Sequence, residues 1–502
     1  MKIIKSFILI LFVVFPIFTL VGCLNSDKKN ESEVDVTDIK LLESYEYIED
    51  NEGYYITAVK ASHRDDETLI IPSFVKGIDE GALANCSSLI NLTIPYVGSS
   101  LSANNDSSLF GYIFGSNSYI GAVAKRQYSS SSNYSIFYIP ESLKSVTITG
   151  GIIRYGVFYN CSGLTSITIG NSVTSISDYA FCNCSELTNI ILGNSITSIG
   201  KYAFSNCGSL KNITIPDDIK NLEYGVFSGC SQLKTITLTE NSQLTGISQR
   251  AFENCSSLTN ITLPNTLLGI GYSAFFNCTS ITNIEIPCNV NGIGNDAFRN
   301  CSKLETVTFA RNSKLTNIES HTFCNCKQLK IVNFGENCQL EGISPWAFED
   351  CSSLININLP KSLTNIGQWA FENCSSLTNI TIPKNVTTIY SEAFKNCNKL
   401  KSVIFSGNSQ LTSIGTGTFS NCSSLTSIII PKNVTSIGDN AFSYCNSLTI
   451  YCEVISKPDE WNSYWNYSNR PVYWYREIQP ISSGSYWHYD TDGITPVQWY
   501  CE

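Results

Sequence analysis

Fourteen copies of a short pattern, written most often as Ala-Phe-x-Asn-Cys, end on cysteines 86, 161, 184, 207, 230, 255, 278, 301, 326, 351, 374, 397, 422 and 445. After the first copy every interval is 23 or 25 residues, and the longer copies replace a Pro-x-x-Val link with a segment such as Asn241-Ser-Gln-Leu244 or Asn408-Ser-Gln-Leu411. A fixed period of this length marks a solenoid, whose units cannot bury their apolar faces alone and stack to do so. It overrides the division into several domains that 502 residues would otherwise suggest.

One copy runs Leu377-Thr-Asn-Ile-Thr-Ile-Pro383, then Val386-Thr-Thr-Ile389, then Ala393-Phe394-Lys-Asn396-Cys397. In Leu-x-x-Ile-x-Ile the apolar residues alternate with a polar one, the period of a strand with one buried face, and the following Pro ends its hydrogen bonding. The Val-x-x-Ile stretch supplies a second short extended wall, and Ala-Phe sits in a tight turn with Phe filling the interior. The expected fold is a β-rich repeat solenoid with a parallel β-sheet and short or helical turns in each 23–25-residue coil. At about 4.8 Å per coil, thirteen steps make a rod of about 60 Å. Charged residues are only 15% of the chain, against about a quarter in ordinary domains, which suits stacked β-structure.

A net charge of −10, with no basic run beyond the extreme N-terminus, argues against binding nucleic acid by phosphate neutralisation. The N-terminus itself reads as a targeting segment: Lys2 and Lys5, an apolar run Phe7 to Leu20, then Leu20-Val21-Gly22-Cys23. About 18 residues with Pro16 inside are marginal for a spanning helix. The Leu-Val-Gly-Cys sequence resembles a bacterial lipobox, which implies removal of residues 1–22 as a signal peptide and lipidation of Cys23, two or more acyl chains giving a stable anchor. Residues 23–42, mostly polar and acidic, then form a lipidated tether.

The repeat Leu-x-x-Ile-x-Ile-Pro-x-x-Val-x-x-Ile-Gly-x-x-Ala-Phe-x-x-Cys resembles the BspA-like leucine-rich repeat family of bacterial surface proteins over residues 43 to 478. The resemblance implies an exported, adhesin-like surface protein and leaves its ligand open. Residues 43–95 read as an N-terminal cap with the first repeat, 96–145 as an insertion, and 146–452 as the solenoid. The 75-residue interval from Cys86 to Cys161 carries Leu109-Phe-Gly-Tyr-Ile-Phe-Gly115 and the serines 129–132 before Ile139-Pro-Glu-Ser-Leu143 resumes the pattern. Residues 453–478 resemble the family's aromatic end segment and read as a cap, followed by an appendage at 479–502. Five of the seven tryptophans lie at 461–499, where a solenoid end must be covered.

Twenty-one cysteines in an exported chain would ordinarily signal disulfides, yet fourteen occupy one column. Parallel in-register neighbours hold their Cβ atoms about 4.8 Å apart, beyond the roughly 3.5–4.5 Å of a disulfide, so the column reads as small buried thiols. Cys182 and Cys324 stand six coils apart and Cys288 and Cys338 two, whereas Cys452 and Cys501 are free to pair near the C-terminal cap. Asn precedes the ladder cysteine in eleven copies. Many read Asn-Cys-Ser, a glycosylation acceptor, but turn chemistry is the better account because Asn tolerates left-handed backbone.

Catalytic signals are missing. Histidines 63, 321 and 488 are scattered, without metal-ligand spacing or a paired nucleophile. Asp490-Thr-Asp492-Gly493 matches the start of a calcium loop, but its twelfth position is Cys501 and not Glu. No phosphate loop occurs, so no cofactor and no metal are expected.

For a ligand, the column five residues before the ladder cysteine stands out, reading Asp296, His321, Trp346, Trp369, Glu392. Trp346 and Trp369 lie one coil apart and offer either a stacking platform for sugar or peptide or local packing over the turn. The outward strand position is usually Thr, a good strand-surface residue, but Ile404 and Ile429 replace it on adjacent coils as a small apolar patch. Two functions fit: a lipid-anchored adhesin binding an extracellular protein or glycan, or a passive spacer. Neither involves nucleic acid, and an enzyme would need clustered acid, base or nucleophile groups.

Overall fold

A computed structural model describes residues 39–480 and 484–499. Cys23 with its leader, and Cys501 with its pairing to Cys452, lie outside the described residues. Most coils contribute one strand to each of two walls. In the first wall, Ser145–Ile148, Ser166–Ile169 and Asn189–Ile191 pair parallel and in register, so Val146, Ile167 and Ile190 align along the core. In the second, two-residue strands such as Gly246–Ile247, Gly269–Ile270 and Gly292–Ile293 pair the same way. The alternation seen in the sequence is therefore the burial pattern: Asn379–Ile382 is exposed, buried, exposed, buried.

Phenylalanines from Phe158 to Phe442 form one continuous column of near-parallel rings, with centroids 5.0 to 5.8 Å apart. Coil spacing imposes the stack, because identical side chains on identical turns superpose at the repeat distance. The column ends on Phe110, 4.5 Å from Phe158, and on Trp465, edge-on to Phe442 at 6.1 Å. Beside it, each ladder thiol from Cys184 to Cys445 donates to the Phe carbonyl of the preceding coil, as Cys184 does to Phe158 and Cys301 to Phe275, both at 3.2 Å. All described cysteines are unpaired. Burial pushes the Cys301 thiol up to about 12 and Cys184 well above its ordinary range.

Asparagines of the column before the cysteine sit at φ near +60° in the left-handed region, which costs Asn less than most residues. Their amides also join across coils: Asn277 donates to Asn254 at 2.9 Å and accepts from Asn300 at 2.8 Å. Asn277 thus supports its turn by its own backbone preference and by bonds to both neighbouring coils.

Three features extend the sequence reading. The 75-residue interval holds a complete cysteine-free coil: Phe110–Phe114 forms a 3-10 turn at the level of the Ala-Phe turns, its Ile113 carbonyl receiving Leu83 N and Phe110 N reaching Val157 O. The remainder is an antiparallel hairpin, Ala122–Tyr128 with Tyr134–Pro140, docked by buried Gln127, which accepts from Gly111 N at 2.7 Å and donates to Cys161 Sγ at 3.1 Å. At the start, Lys40–Ser44 is a 3-10 turn with Leu42 buried in the core, so the expected tether stops short of residue 42.

At the end, Val472–Tyr475 and Tyr486–Tyr489 continue the first wall in parallel, and Pro496–Gln498 closes it antiparallel. Residues 486–498 therefore add strands to the solenoid's own sheet. Trp461 and Trp487 are fully buried there, their indoles donating to Val434 O at 3.2 Å and Cys452 O at 3.0 Å. Among the described residues helical turns occur only before residue 115, and no helix is long and apolar enough to cross a membrane.

Candidate ligand-binding face

The turn wall carries two left-handed positions per coil. One is the asparagine column; the other lies five residues before each ladder cysteine, where all fourteen residues have φ between 51° and 71°. Glycine satisfies such a position without cost, and Gly81, Gly156, Gly225 and Gly417 do so. Tyr179, Tyr202, Arg250, His321, Trp346, Trp369 and Glu392 occupy the same conformation. A bulky side chain there carries a backbone penalty of about 1 kcal/mol or more, so these residues are retained for what their side chains do.

What they do is stack and pair. Tyr179 lies on Tyr202 at 5.0 Å. His321 lies on Trp346 at 4.8 Å and Trp346 on Trp369 at 4.6 Å, with interplanar angles of 7° and 16°. Trp346 is sandwiched, so neither of its faces can receive a ligand, and packing accounts for it. Trp369 carries a second ring on one side only. Toward the next coil its indole Nε1 donates to Glu392 Oε2 at 3.1 Å.

Glu392 also takes a hydrogen bond from Lys395, which reaches Glu372 at 3.4 Å as well. The Glu392 bond raises Lys395 above its ordinary value, while burial raises Glu372 against the pull of Lys395. At the other end of the stack burial holds His321 below its ordinary value, next to the Asp296–Arg299 pair at 3.0 Å. The five residues singled out in this column are thus brought together on one strip.

Ile404 and Ile429 are elsewhere, on the first wall. Ile404 is 53% exposed, and Ile429 is half-buried opposite Tyr451. Tyr451 stacks on Tyr473, so the patch runs into the aromatic cap.

Beyond Glu392 the column falls to Gly417 and Asn440, and the surface opens into a groove of about 600 Å³. Glu392 and Lys395 form one end and Tyr444, Tyr464 and Tyr467 the other. The tyrosines are 68%, 60% and 65% exposed. Sequence reasoning missed them. Tyr444 stands in the asparagine column, at φ 59°, and Tyr467 follows it by one 23-residue period, a signal visible once residues 461–468 are aligned as a further coil.

The remaining chemistry is structural. His63 pairs with Asp66 at 2.8 Å and His488 lies against Trp499 at 3.8 Å, so the three histidines stay apart. Asp492 spends its carboxylate on Ile494 N and Thr495 N, both at 2.8 Å, forming a turn. Among the described residues no group of three potential metal ligands occurs.

The model of a family described as the BspA type leucine-rich repeat region, in six copies, matches residues 62–150, 151–246, 240–340 and 337–449. Among solved structures, a leucine-rich repeat protein from Bacteroides ovatus shares 23% identity, covering 84% of this chain and all of its own, with a TM-score of 0.53. A leucine-rich cell surface protein from Faecalibacterium prausnitzii shares 22%, covering 88% and 97%, with a TM-score of 0.36. The pneumococcal vaccine antigen PcpA shares 18%, covering 85% and 98%, with a TM-score of 0.42. No protein of curated function matches the sequence.

Proposed function

Because the chain belongs to the BspA-type leucine-rich repeat family, we propose that it is a non-enzymatic binding module, exported and lipid-anchored through Cys23, acting as an adhesin toward extracellular protein or glycan. The observation that carries this reading is the left-handed column on the turn wall. Packing accounts for the sandwiched Trp346, but a passive spacer has no use for Trp369 and Glu392 beside it where glycine or asparagine is less strained; an interaction surface accounts for them. The groove beyond Glu392 extends the same strip.

Binding of the full chain to immobilised matrix proteins and to arrayed glycans tests the module, run beside Trp346→Ala/Trp369→Ala. Saturable binding that falls at least tenfold in the double variant, with the melting temperature still showing a cooperative fold, supports the reading. Absence of binding to every component leaves the spacer. The anchor has its own test: labelling with a radioactive fatty acid in a bacterial host, expected for the native chain and abolished in Cys23→Ala.

A further inference from the structure

We propose that the groove between Glu392 and Tyr467 binds a neutral oligosaccharide. The proposal rests on the binding-module reading and names the ligand class and place. Four coil levels, marked by residues 392, 417, 440 and 464, give it a length of about 15 Å at the strand spacing, room for several sugar rings.

Its walls suit a polyol. Tyr444, Tyr464 and Tyr467 expose aromatic rings, two of them 6.3 Å apart and mutually tilted, against which the C–H face of a pyranose packs. The floor is polar: Thr416, Ser420 and Ser443 bring hydroxyls, and Asp439 brings a carboxylate. Hydroxyl side chains both donate to and accept from the hydroxyls of a sugar.

Gly417 keeps this floor low. A Cβ there would press on Glu392 Cγ at 3.2 Å, and φ +59° already favours glycine. Tyr444 is the other departure. Its neighbours Asn396 and Asn421 continue the amide ladder, joined at 2.9 Å, and Tyr444 breaks it at the cost of placing an aromatic residue at φ 59°.

Competing ligands fit less well. An anionic chain would meet Asp439 and Glu392, while Lys395, the groove's cation, is engaged by Glu392 and Glu372. An extended peptide adding as a strand needs free backbone edges. Here Gly417 N is bonded to Asp439 O at 2.8 Å, Asn421 N to Ser443 O at 2.8 Å and Asn440 N to Tyr464 O at 3.0 Å.

The test is calorimetric titration of the full chain, in mild detergent, with cellohexaose, xylohexaose, maltohexaose and mannohexaose, beside hexagalacturonate and a Lys-rich decapeptide. The native chain should bind at least one neutral hexasaccharide saturably, and Tyr444→Asn should weaken it at least tenfold. Tyr444→Asn restores the column residue, so its melting temperature should equal or exceed the native value, separating lost binding from lost fold. Tyr467→Ala should weaken binding independently.

Three results overturn the assignment: no neutral hexasaccharide binds, binding survives Tyr444→Asn unchanged, or the acidic sugar or the peptide binds instead and is lost in that variant. If matrix-protein binding persists while every hexasaccharide fails, the groove assignment falls and the binding module stands; if both fail, both readings fall.

Discussion

Trp346 and Trp369 lie face to face at 4.6 Å, although each occupies a backbone conformation that tryptophan rarely adopts. The ring contact and the backbone penalty act on the same residue and oppose each other. Replacing Trp346 by alanine removes two stacking contacts, each worth about 0.5–1.5 kcal/mol, but keeps a Cβ at φ 58°. Replacing it by glycine removes the same contacts and relieves the backbone. Trp346→Gly should therefore be more stable than Trp346→Ala by about 1 kcal/mol, the reverse of the order in ordinary extended or helical backbone. Urea denaturation of the two variants decides it, and equal midpoints would count against the left-handed turn.

The asparagine ladder makes a second prediction. Asn277 is bonded on both sides, so Asn277→Ala loses two amide contacts and strains the turn, for a destabilisation of about 1–3 kcal/mol. Asn277→Gly keeps the backbone relaxed and should cost less. Thermal melts that show alanine and glycine equally damaging would mean that the amide bonds, and not the backbone, set the preference for Asn.

Thiol accessibility is directly measurable. The ladder cysteines are buried, whereas Cys288 and Cys338 are partly exposed. Iodoacetamide at neutral pH should modify Cys288 and Cys338 in the native protein and leave the ladder untouched, and all should react in guanidinium. Mass mapping of native-state labelling at Cys278 or Cys301 would contradict the packed column.

Alkaline stability follows from the same burial. Burial pushes the folded-state values of Cys301 and Cys182 from the ordinary 9.0 up to about 12. A raised folded value means that the thiol stabilises the fold fully below pH 9, and that this contribution drains away as pH rises from 9 toward 12, where the unfolded chain ionises first. Each such thiol removes up to about 1.4 kcal/mol per pH unit in that window. The urea midpoint should be flat from pH 7 to pH 8.5 and fall steeply above pH 9, and a Cys301→Ala variant should fall less steeply.

Much of this molecule was legible in residue spacing. The period named the solenoid, the alternation in Asn379–Ile382 named its buried face, and the shared column of cysteines argued against disulfides, because each is a local regularity that stacking copies without change. The asparagine turn was legible too, since Asn reports left-handed backbone by its own chemistry. The column containing Trp346 and Glu392 was legible as unusual but not as left-handed: no property of Trp, Glu or Arg encodes a positive φ, and the neighbouring coils impose it. Only the stacked structure decided that Trp346 hides both faces, that Leu109–Phe114 supplies the turn of an extra coil, and that Tyr444 and Tyr467 meet Asp439 around one groove. Those relations join residues one or more coils apart, and distance along the chain carries them only after the period has become a distance in space.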